Sequence, residues 1–304
     1  MSDTDHKTST PTILASAIFA LHPNSKRTSA LVHRHPRALA ALARTLTTMA
    51  TSTVVRRVTI DVVSDGVCPF CYIGKRRMEQ GLRLYQDRHP APQPRLEFDV
   101  QWHPFELDGT LPTEPISKRA MYARKFGPMA PQLEARLDRF AQDVGIKFKH
   151  DGLTGNTFDY HRLMRHVLLE YGSTKQNVLA EHLFRAYFEE GKALSVHDTL
   201  VDGAVAAGLN VDQTREFLTS GEQGYEVRGE LAEARRRGVR GVPDFTIAGK
   251  HHISGAEDPA EFLAIFERVH RESFAEAEGD GGSASSAAQA VAEGTACKID
   301  GKGC

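Results

Sequence analysis

Hydrophobic and polar positions predict a strand, a helix and a second strand in the first clearly patterned part of the chain. Residues 58–64 carry a run of β-branched side chains, which is typical of a buried strand. Residues 96–102 alternate apolar with polar side chains, which is the two-residue period of a strand. Between these segments, Met78, Leu82 and Tyr85 are spaced four and three residues apart and mark one face of a helix.

Helical spacing dominates the next part of the chain. Apolar residues recur every three or four positions in five segments, namely residues 133–144, 163–167, 178–187, 200–207 and 231–234. Ser195 and Asp198 have the spacing of a capping box at the start of the fourth segment. Gly238 stands where the residue after the fifth helix is expected, because glycine readily adopts the left-handed backbone of a helix end.

The last patterned part predicts two short strands and a helix. Residues 244–248 alternate in polarity, residues 249–250 form a turn, and residues 251–254 form the second strand. Residues 262–269 again have helical spacing. The order is therefore strand–helix–strand, a helical block, then strand–strand–helix, which predicts a mixed α/β fold.

Composition and charge exclude several classes of protein. The chain has 304 residues, of which 40% are hydrophobic and 25% charged, as in ordinary globular proteins with one or two domains. Its 38 basic and 39 acidic residues give a net charge of −1, which argues against a general nucleic-acid-binding protein. Four cysteines are too few for a disulfide-stapled scaffold. No uninterrupted apolar run approaches the roughly 18 residues of a membrane span.

The two ends differ from the middle. Residues 6–60 contain no Asp or Glu and are rich in Ser, Thr, Ala, Arg and His, the composition of a mitochondrial transit peptide. The alternatives are a disordered leader and an upstream extension of a protein that starts at Met49. We expect a cytoplasmic protein, with the mitochondrion as the alternative compartment. The Gly-, Ala- and Ser-rich residues after 274 predict a flexible tail.

The motif Cys68-Pro69-Phe70-Cys71 carries the clearest chemistry. It falls where the first strand ends and the first helix begins, and proline suits a first helical residue because it has no N–H to leave unpaired. Free N–H groups and the helix dipole favour a thiolate on Cys68 at this position. We therefore expect an exposed Cys68 to attack a substrate sulfur, and Cys71, one turn further and more buried, to resolve the mixed disulfide.

Charged residues around the motif are expected to have opposite effects on the stability of a Cys68 thiolate. Lys75, Arg76 and Arg77 follow the motif and are expected to add positive charge near Cys68. Asp65 precedes it by three residues and opposes that effect.

Cys297 and Cys304 leave two alternatives open. They could complete a four-cysteine zinc site with Cys68 and Cys71, although six intervening residues are wide for a zinc knuckle. They could instead form a second redox pair that passes electrons to the first, or they could be two thiols without a role. The strand–CxxC–helix context favours redox chemistry over zinc, so the sequence predicts no metal site.

A second candidate segment is Val242–Pro243, directly before a predicted strand. A cis peptide bond here would make a tight turn and leave the Val242 backbone free to pair with a substrate chain. From the residues alone, an ordinary trans proline is the more frequent alternative, since only about 5–6% of such bonds are cis.

The sequence resembles the DsbA-like thioredoxin-fold oxidoreductases, specifically the FrnE-like branch, which is related to kappa-class glutathione transferases and 2-hydroxychromene-2-carboxylate isomerases. The residues that carry the resemblance are 64–65, 68–76, 102–107, 156–157, 161–162, 241–245 and 253–256. The resemblance implies an α/β, thioredoxin-like fold split by an inserted helical domain. It divides the covered part into a thioredoxin-like domain (57–112 and 226–273) and an inserted helical domain (113–225). It does not cover the disordered leader or possible targeting segment (1–56) or the flexible tail (274–304), which composition predicts.

The resemblance also implies an activity and its site. It implies a disulfide oxidoreductase with a cis Val242–Pro243 bond, acting on thiol- or disulfide-containing proteins or small molecules. Residues that contact the substrate are then Pro69, Phe70, Val242 and Pro243. No metal or organic cofactor is expected; glutathione is the candidate co-substrate. No nucleic acid or membrane is expected as a partner, and a homodimer is left open.

Some positions depart from the family pattern. Phe70 replaces a frequent Trp, and Tyr160 replaces a frequent Ala before His161 and Arg162, which we interpret as a packing pair rather than as part of the site. The transferase and isomerase relatives carry Ser at the position of Cys68, which argues against their activity here. The alternatives kept are a glutathione-dependent isomerase or transferase and a non-catalytic zinc-binding or redox-sensing module.

Overall fold

The computed structural model describes residues 54–279, with side chains to residue 275. Its strands are β1 (Val55–Ser64), β2 (Arg95–Pro104), β3 (Ile116–Ser117), β4 (Leu153–Thr154), β5 (Asp244–Ile247) and β6 (His251–Ser254). Its helices are α1 (Pro69–Arg88), α2 (Lys118–Phe126), α3 (Ala130–Gln142), α4 (Phe158–Tyr171), α5 (Ser173–Phe188), α6 (His197–Ala206), α7 (Val211–Ser220), α8 (Gly224–Arg236) and α9 (Pro259–Gly279). Among these, none has the length and apolar character needed to cross a membrane. The predictions for the leader before residue 54, for the tail after residue 279 and for Cys297 and Cys304 lie outside the described residues.

Four strands form one mixed sheet in the order β2-β1-β5-β6. β1 and β2 are parallel, with Ile60 opposite Val100, and α1 supplies the crossover between them. β5 is antiparallel to β1, with Val63 opposite Asp244, and β6 is antiparallel to β5. This pairing brings the segment before β5 next to the end of β1, where the cysteine motif begins.

Different helices cover the two faces of the sheet. Ile60 and Val62 of β1 are fully buried and belong to a hydrophobic core that includes residues of α1 and α9. Val63 points to the opposite face, where it packs with Phe105 and with Ala234 of α8. The carboxyl-terminal part of β1 is therefore covered on both faces of the sheet, as the β-branched run predicts.

The helical segment between β2 and α8 packs on the outer edge of β2. The fully buried Gln176 of α5 accepts a hydrogen bond from the N–H of Trp102 (2.9 Å) and donates one to its carbonyl (2.8 Å). Asn177 donates to the carbonyl of Val100 (2.7 Å) and accepts from the Trp102 indole N–H (2.8 Å). These side chains replace the hydrogen bonds of a neighbouring strand, so this part of the edge is closed.

One hydrophobic core runs from the sheet into the helical segment, since Ile60 of β1 and Leu183 of α5 belong to the same buried cluster. The predicted boundary between residues 225 and 226 falls inside α8 (Gly224–Arg236). The division into a thioredoxin-like domain and an inserted domain stays a prediction.

The predicted capping box at Ser195 is wrong. Helix α6 begins at His197 with Val196 as its cap, and no side chain caps it by a hydrogen bond. The Ser195 side chain lies against Gly155, so closely that a Cβ atom at Gly155 would collide with the hydroxyl. Packing against this distant loop therefore overrides the local capping signal. Gly238 follows α8 with φ +87°, as predicted.

Lys118, the first residue of α2, is a buried cation without a salt bridge to any residue in the 54–279 range. Its Nζ donates to the carbonyl of Tyr187 (2.8 Å) and lies 3.8 Å from the centre of the Tyr187 ring. Burial lowers the pKa of Lys118 from 10.5 to about 8, and Lys149 contributes in the same direction against the opposing charge of Asp151.

We expect Lys118 to make the stability of the protein rise with pH above about 8. Between that pH and 10.5 the unfolded chain binds a proton that the folded chain has lost, so deprotonation favours folding by about 3 kcal/mol. Urea unfolding below and above this interval measures the effect. The stability of Lys118→Met relative to wild type should fall by that amount as the pH rises, whereas Lys125→Met, at an exposed position of the same helix, should show no such change. A pH-independent difference for Lys118→Met would contradict the prediction.

Candidate active site

The cysteine motif forms the start of α1. Cys68 is the cap residue with an extended backbone (φ −84°, ψ 115°), and Pro69 is the first helical residue, as predicted. The N–H of Cys68 donates to the Asp65 carbonyl (3.0 Å), and the N–H of Cys71 donates to the Cys68 carbonyl (3.1 Å). The first turn contains no acidic residue. The positive end of the helix dipole lies next to Cys68, and no carboxylate of this turn offsets it.

Val242 and Pro243 form the second part of the site. The Sγ atom of Cys68 lies 3.4 Å from the carbonyl oxygen of Val242 and donates a hydrogen bond to it. The Val242–Pro243 bond is cis, as the resemblance implied. Pro69, Phe70 and Val242 are partly exposed, whereas Pro243 is buried. Two segments that are 174 positions apart in sequence thus meet at one sulfur atom.

Gly74 allows the Pro243 loop to lie against α1. A Cβ atom at Gly74 would stand 2.9 Å from Cγ of Pro243 and 3.3 Å from the ring of Phe245. The absence of a side chain therefore sets the distance between the cysteine helix and the loop that contacts Cys68.

Gly74→Ala is expected to destabilise the protein by about 1–3 kcal/mol, because the added methyl group has to push Pro243 away from α1. The same displacement should lower turnover by moving the Val242 carbonyl away from Cys68. The matched control is Gly229→Ala in α8, where a Cβ atom would meet nothing within 4 Å. It should stabilise the protein by about 0.5–1 kcal/mol, as alanine does in a helix interior. Thermal unfolding of both variants measures the difference, and two changes of the same sign would refute this account of Gly74.

Both cysteines are buried thiols, with 4% of Cys68 and 0% of Cys71 exposed. Cys71 is the more buried of the two, as predicted, but the predicted exposure of Cys68 is wrong. Helix α3 packs next to the motif, since the rings of Phe70 and Phe140 have centres 5.9 Å apart. The sequence could not show this contact, because the two residues belong to different helices.

The surroundings of the Cys71 sulfur disfavour its thiolate form. Burial raises the pKa of the Cys71 thiol well above its usual value, and the neighbouring Cys68 raises it further. The Ser64 hydroxyl and the Asp65 backbone act in the opposite direction. The buried site therefore favours the protonated form of the Cys71 thiol.

Carboxylates neutralise the positive charge of Lys75 and Arg76, two of the three cations that were predicted to act on Cys68. Lys75 pairs with Glu79 and with Glu181 of α5 (2.6 Å), and Arg76 pairs with the same two carboxylates. Burial alone would raise the pKa of Glu181, but these two cations hold it below its usual value. Arg77 donates to the Ala256 carbonyl (2.6 Å). The prediction of added positive charge is therefore wrong for Lys75 and Arg76, because the sequence gives no sign that Glu181 reaches α1, whereas the charge of Arg77 is not paired with a carboxylate among the described residues.

Asp65 is buried beside the motif. Its Oδ2 accepts a hydrogen bond from the Leu107 N–H (2.8 Å), and its Oδ1 lies 3.6 Å from Nε2 of His161. Arg162 behaves as the predicted packing residue, since it donates to the carbonyls of Phe217, Leu218 and Glu222. His161 instead lies beside Asp65 next to the cysteine motif, the alternative that the sequence analysis considered but did not favour. The available signal was a histidine on the buried face of α4 next to apolar neighbours.

Metal binding finds no support among residues 54–279, where no group of three or more His, Cys, Asp or Glu side chains could hold an ion. The four-cysteine zinc alternative depends on Cys297 and Cys304, which lie outside this range.

Comparison with known proteins agrees with this geometry. The profile of the DSBA-like thioredoxin domain matches residues 59–267. The uncharacterised protein YwbO of Bacillus subtilis is 26% identical over 204 residues, which are 65% of this chain and 90% of that protein. The crystal structure of a probable DsbA oxidoreductase from Streptomyces coelicolor has a TM-score of 0.60 and 28% identity, covering 72% of this chain and 91% of that chain.

A more distant structure shows the same fold. A 2-hydroxychromene-2-carboxylate isomerase has a TM-score of 0.50 and 16% identity, covering 72% of this chain and 98% of that chain. The predicted α/β, thioredoxin-like fold is confirmed. The chain belongs to the DSBA-like thioredoxin domain family and is an enzyme of the disulfide oxidoreductase or isomerase type, with thiol or disulfide groups as its substrates.

Proposed function

We propose that this protein is a thiol–disulfide oxidoreductase in which Cys68 attacks the substrate and Cys71 resolves the mixed disulfide. The position of Cys68 carries the proposal: its sulfur lies at the start of α1, 3.4 Å from the Val242 carbonyl, with the fully buried Cys71 one turn behind. A helix N-terminus favours a thiolate, and the raised pKa of Cys71 keeps the second thiol protonated until its own step.

The chemistry consists of two exchanges. The Cys68 thiolate attacks one sulfur of a substrate disulfide, a Cys68–substrate bond forms, and the other substrate sulfur leaves as a thiolate. Cys71 then loses its proton and attacks Cys68, so that the Cys68–Cys71 bond forms and the second substrate sulfur leaves. The substrate gains two electrons and the cysteine pair loses two. The reverse sequence oxidises a dithiol substrate.

Burial of Cys68 restricts the substrates that can react. With 4% of this residue exposed, a substrate has to bring its sulfur in past the partly exposed Pro69, Phe70 and Val242. An extended peptide that pairs with the Val242 backbone meets this condition, and so does a small disulfide. Glutathione is therefore the candidate co-substrate, and the two exchanges require neither a metal nor an organic cofactor. Pro243 is buried, so in this proposal it positions Val242 from behind.

The redox equilibrium of the cysteine pair in glutathione buffers tests the proposal. The full chain is used with Cys297→Ser and Cys304→Ser, so that only Cys68 and Cys71 respond. A potential near roughly −120 mV, as in DsbA, identifies a thiol oxidant, and one near roughly −270 mV, as in thioredoxin, identifies a reductase. Failure to form the Cys68–Cys71 disulfide in any buffer would contradict the proposal and favour the zinc-binding or redox-sensing alternative.

A further inference from the structure

A small cavity lies between the sheet and helix α4. Its volume is about 10 Å³, which is the lower limit of the space that one water molecule needs. Ser64 and Trp102 line it from the strands, and Tyr160, His161 and Met164 line it from the helix. The cavity is therefore built by both parts of the fold.

Two polar atoms on the walls of this cavity are unpaired. Oγ of Ser64 and Nε2 of His161 are buried and have no hydrogen-bond partner in the described part of the chain. Each residue is 2% exposed. Buried polar atoms of this kind are costly unless a water molecule satisfies them, and here both line one cavity of the right size. The site therefore has the volume and the polar partners that bind a single water molecule.

Ser64 connects the cavity with the thiol that has to lose a proton in the proposed reaction, because it lines the cavity and acts on Cys71. The Ser64 hydroxyl is close enough to Cys71 to lower the pKa of its thiol against the effect of burial, although the two groups do not meet the geometry of a hydrogen bond. On the other side of the cavity, Nε2 of His161 lies 3.6 Å from Oδ1 of Asp65, a carboxylate that is 1% exposed. The Cys71 thiol is thus near Ser64, Ser64 and His161 line the same cavity, and His161 lies beside the Asp65 carboxylate.

We propose that a water molecule bound in this cavity passes the Cys71 proton to Nε2 of His161, and that Asp65 balances the imidazolium charge. The inference rests on the proposed function, because it concerns the resolving step. The S–H proton of Cys71 moves through the water to His161 while the Cys71 sulfur bonds to Cys68 and the substrate thiolate leaves. The leaving thiolate then takes up a proton from solvent and His161 releases one, so that protons and charge balance.

Two buried tyrosines and a second histidine near the pair do not take part in this proton transfer. Burial raises the pKa of Tyr160 and of Tyr187, so both phenols stay neutral. His103, which also lines the cavity, is paired with Asp61 at 2.8 Å. In this proposal Cys71 is therefore the proton donor, and helix α4 contributes His161 as the group that receives the proton.

Timed reaction with oxidised glutathione tests the inference. The reduced full chain, with Cys297→Ser and Cys304→Ser, is mixed with oxidised glutathione at several pH values and quenched with acid. Mass spectrometry follows the Cys68–glutathione adduct. We expect His161→Gln to leave formation of the adduct unchanged and to slow its decay roughly a hundredfold at neutral pH. Because hydroxide must then remove the proton, the decay rate of this variant should rise about tenfold per pH unit.

His182→Gln is the matched control. Nε2 of His182 is also buried and unpaired within residues 54–279, but its charged neighbours are Arg185, Glu190, Lys192 and Asp202 rather than the cysteines. This variant should keep the wild-type rate and pH profile of adduct decay. Decay of the His161→Gln adduct with the wild-type pH profile would overturn the inference and leave the proposed function standing. If wild type forms no adduct at all, the proposed function itself fails.

A pair of Ser64 variants tests the water independently, including the case in which His161→Gln does not fold. Ser64→Val fills the cavity, whereas Ser64→Ala removes the hydroxyl but leaves room for water. We expect Ser64→Val to slow adduct decay at least tenfold more than Ser64→Ala does at neutral pH. Equal rates in the two variants would show that no water in the cavity carries the proton.

Discussion

Cys68→Ser is expected to stop disulfide exchange, with turnover falling on the order of a thousandfold or more. A serine hydroxyl does not ionise at neutral pH, and it cannot form the mixed disulfide on which both exchanges depend. Cys71→Ser should stop the reaction at a different point, because Cys68 still attacks but nothing resolves the adduct. Turnover of a peptide disulfide, together with mass spectrometry of the trapped protein, measures both results. Cys71→Ser alone should accumulate a covalent Cys68–substrate species.

The tail cysteines provide the comparison for these variants. With Cys297→Ser and Cys304→Ser, turnover equal to wild type would exclude the relay hypothesis, whereas a loss with an intact Cys68–Cys71 pair would support it. Glutathione turnover that survives Cys71→Ser would instead favour the glutathione-dependent isomerase or transferase alternative. Normal disulfide exchange in Cys68→Ser would contradict the assignment of the nucleophile.

Gln176→Leu is expected to lower the free energy of unfolding by about 3 kcal/mol. The substitution keeps apolar volume at a fully buried position but removes the partners of the Trp102 N–H and carbonyl, and of the Met164 carbonyl. Each of these buried groups then lacks a hydrogen bond, and leucine cannot replace it. Urea unfolding followed by the fluorescence of Trp102, the single tryptophan of the chain, measures the loss.

Gln213→Leu is the control for this effect. Gln213 lies in α7 at an exposed position, so the same change of side chain should alter stability by no more than about 0.5 kcal/mol. An equal loss in both variants would show that the hydrogen bonds to the edge of β2 do not hold the helical segment in place. The prediction also bears on the site, because this helical segment carries His161.

Local patterns predicted much of the fold. Helix α1 begins at Pro69, and the strands predicted over residues 58–64 and 96–102 lie within β1 and β2. These predictions hold because a helix that buries one face, or a strand that buries alternate positions, repeats its apolar residues at a fixed spacing. That spacing can be recognised within a few residues of sequence. The capping box at Ser195 failed for the opposite reason, since contact with Gly155 depends on a loop some forty residues away.

The sequence by itself determined the chemistry of the site: two cysteines at a strand–helix junction, with Pro69 starting the helix. That information is local, because the dipole and the free N–H groups belong to the same turn as the sulfur atoms. The tertiary structure decided which groups act on those sulfurs. It buried Cys68, placed Glu181 against the expected cations and set His161 beside Asp65. Such contacts depend on how separate elements pack, and no period or spacing within the chain encodes the distance between them.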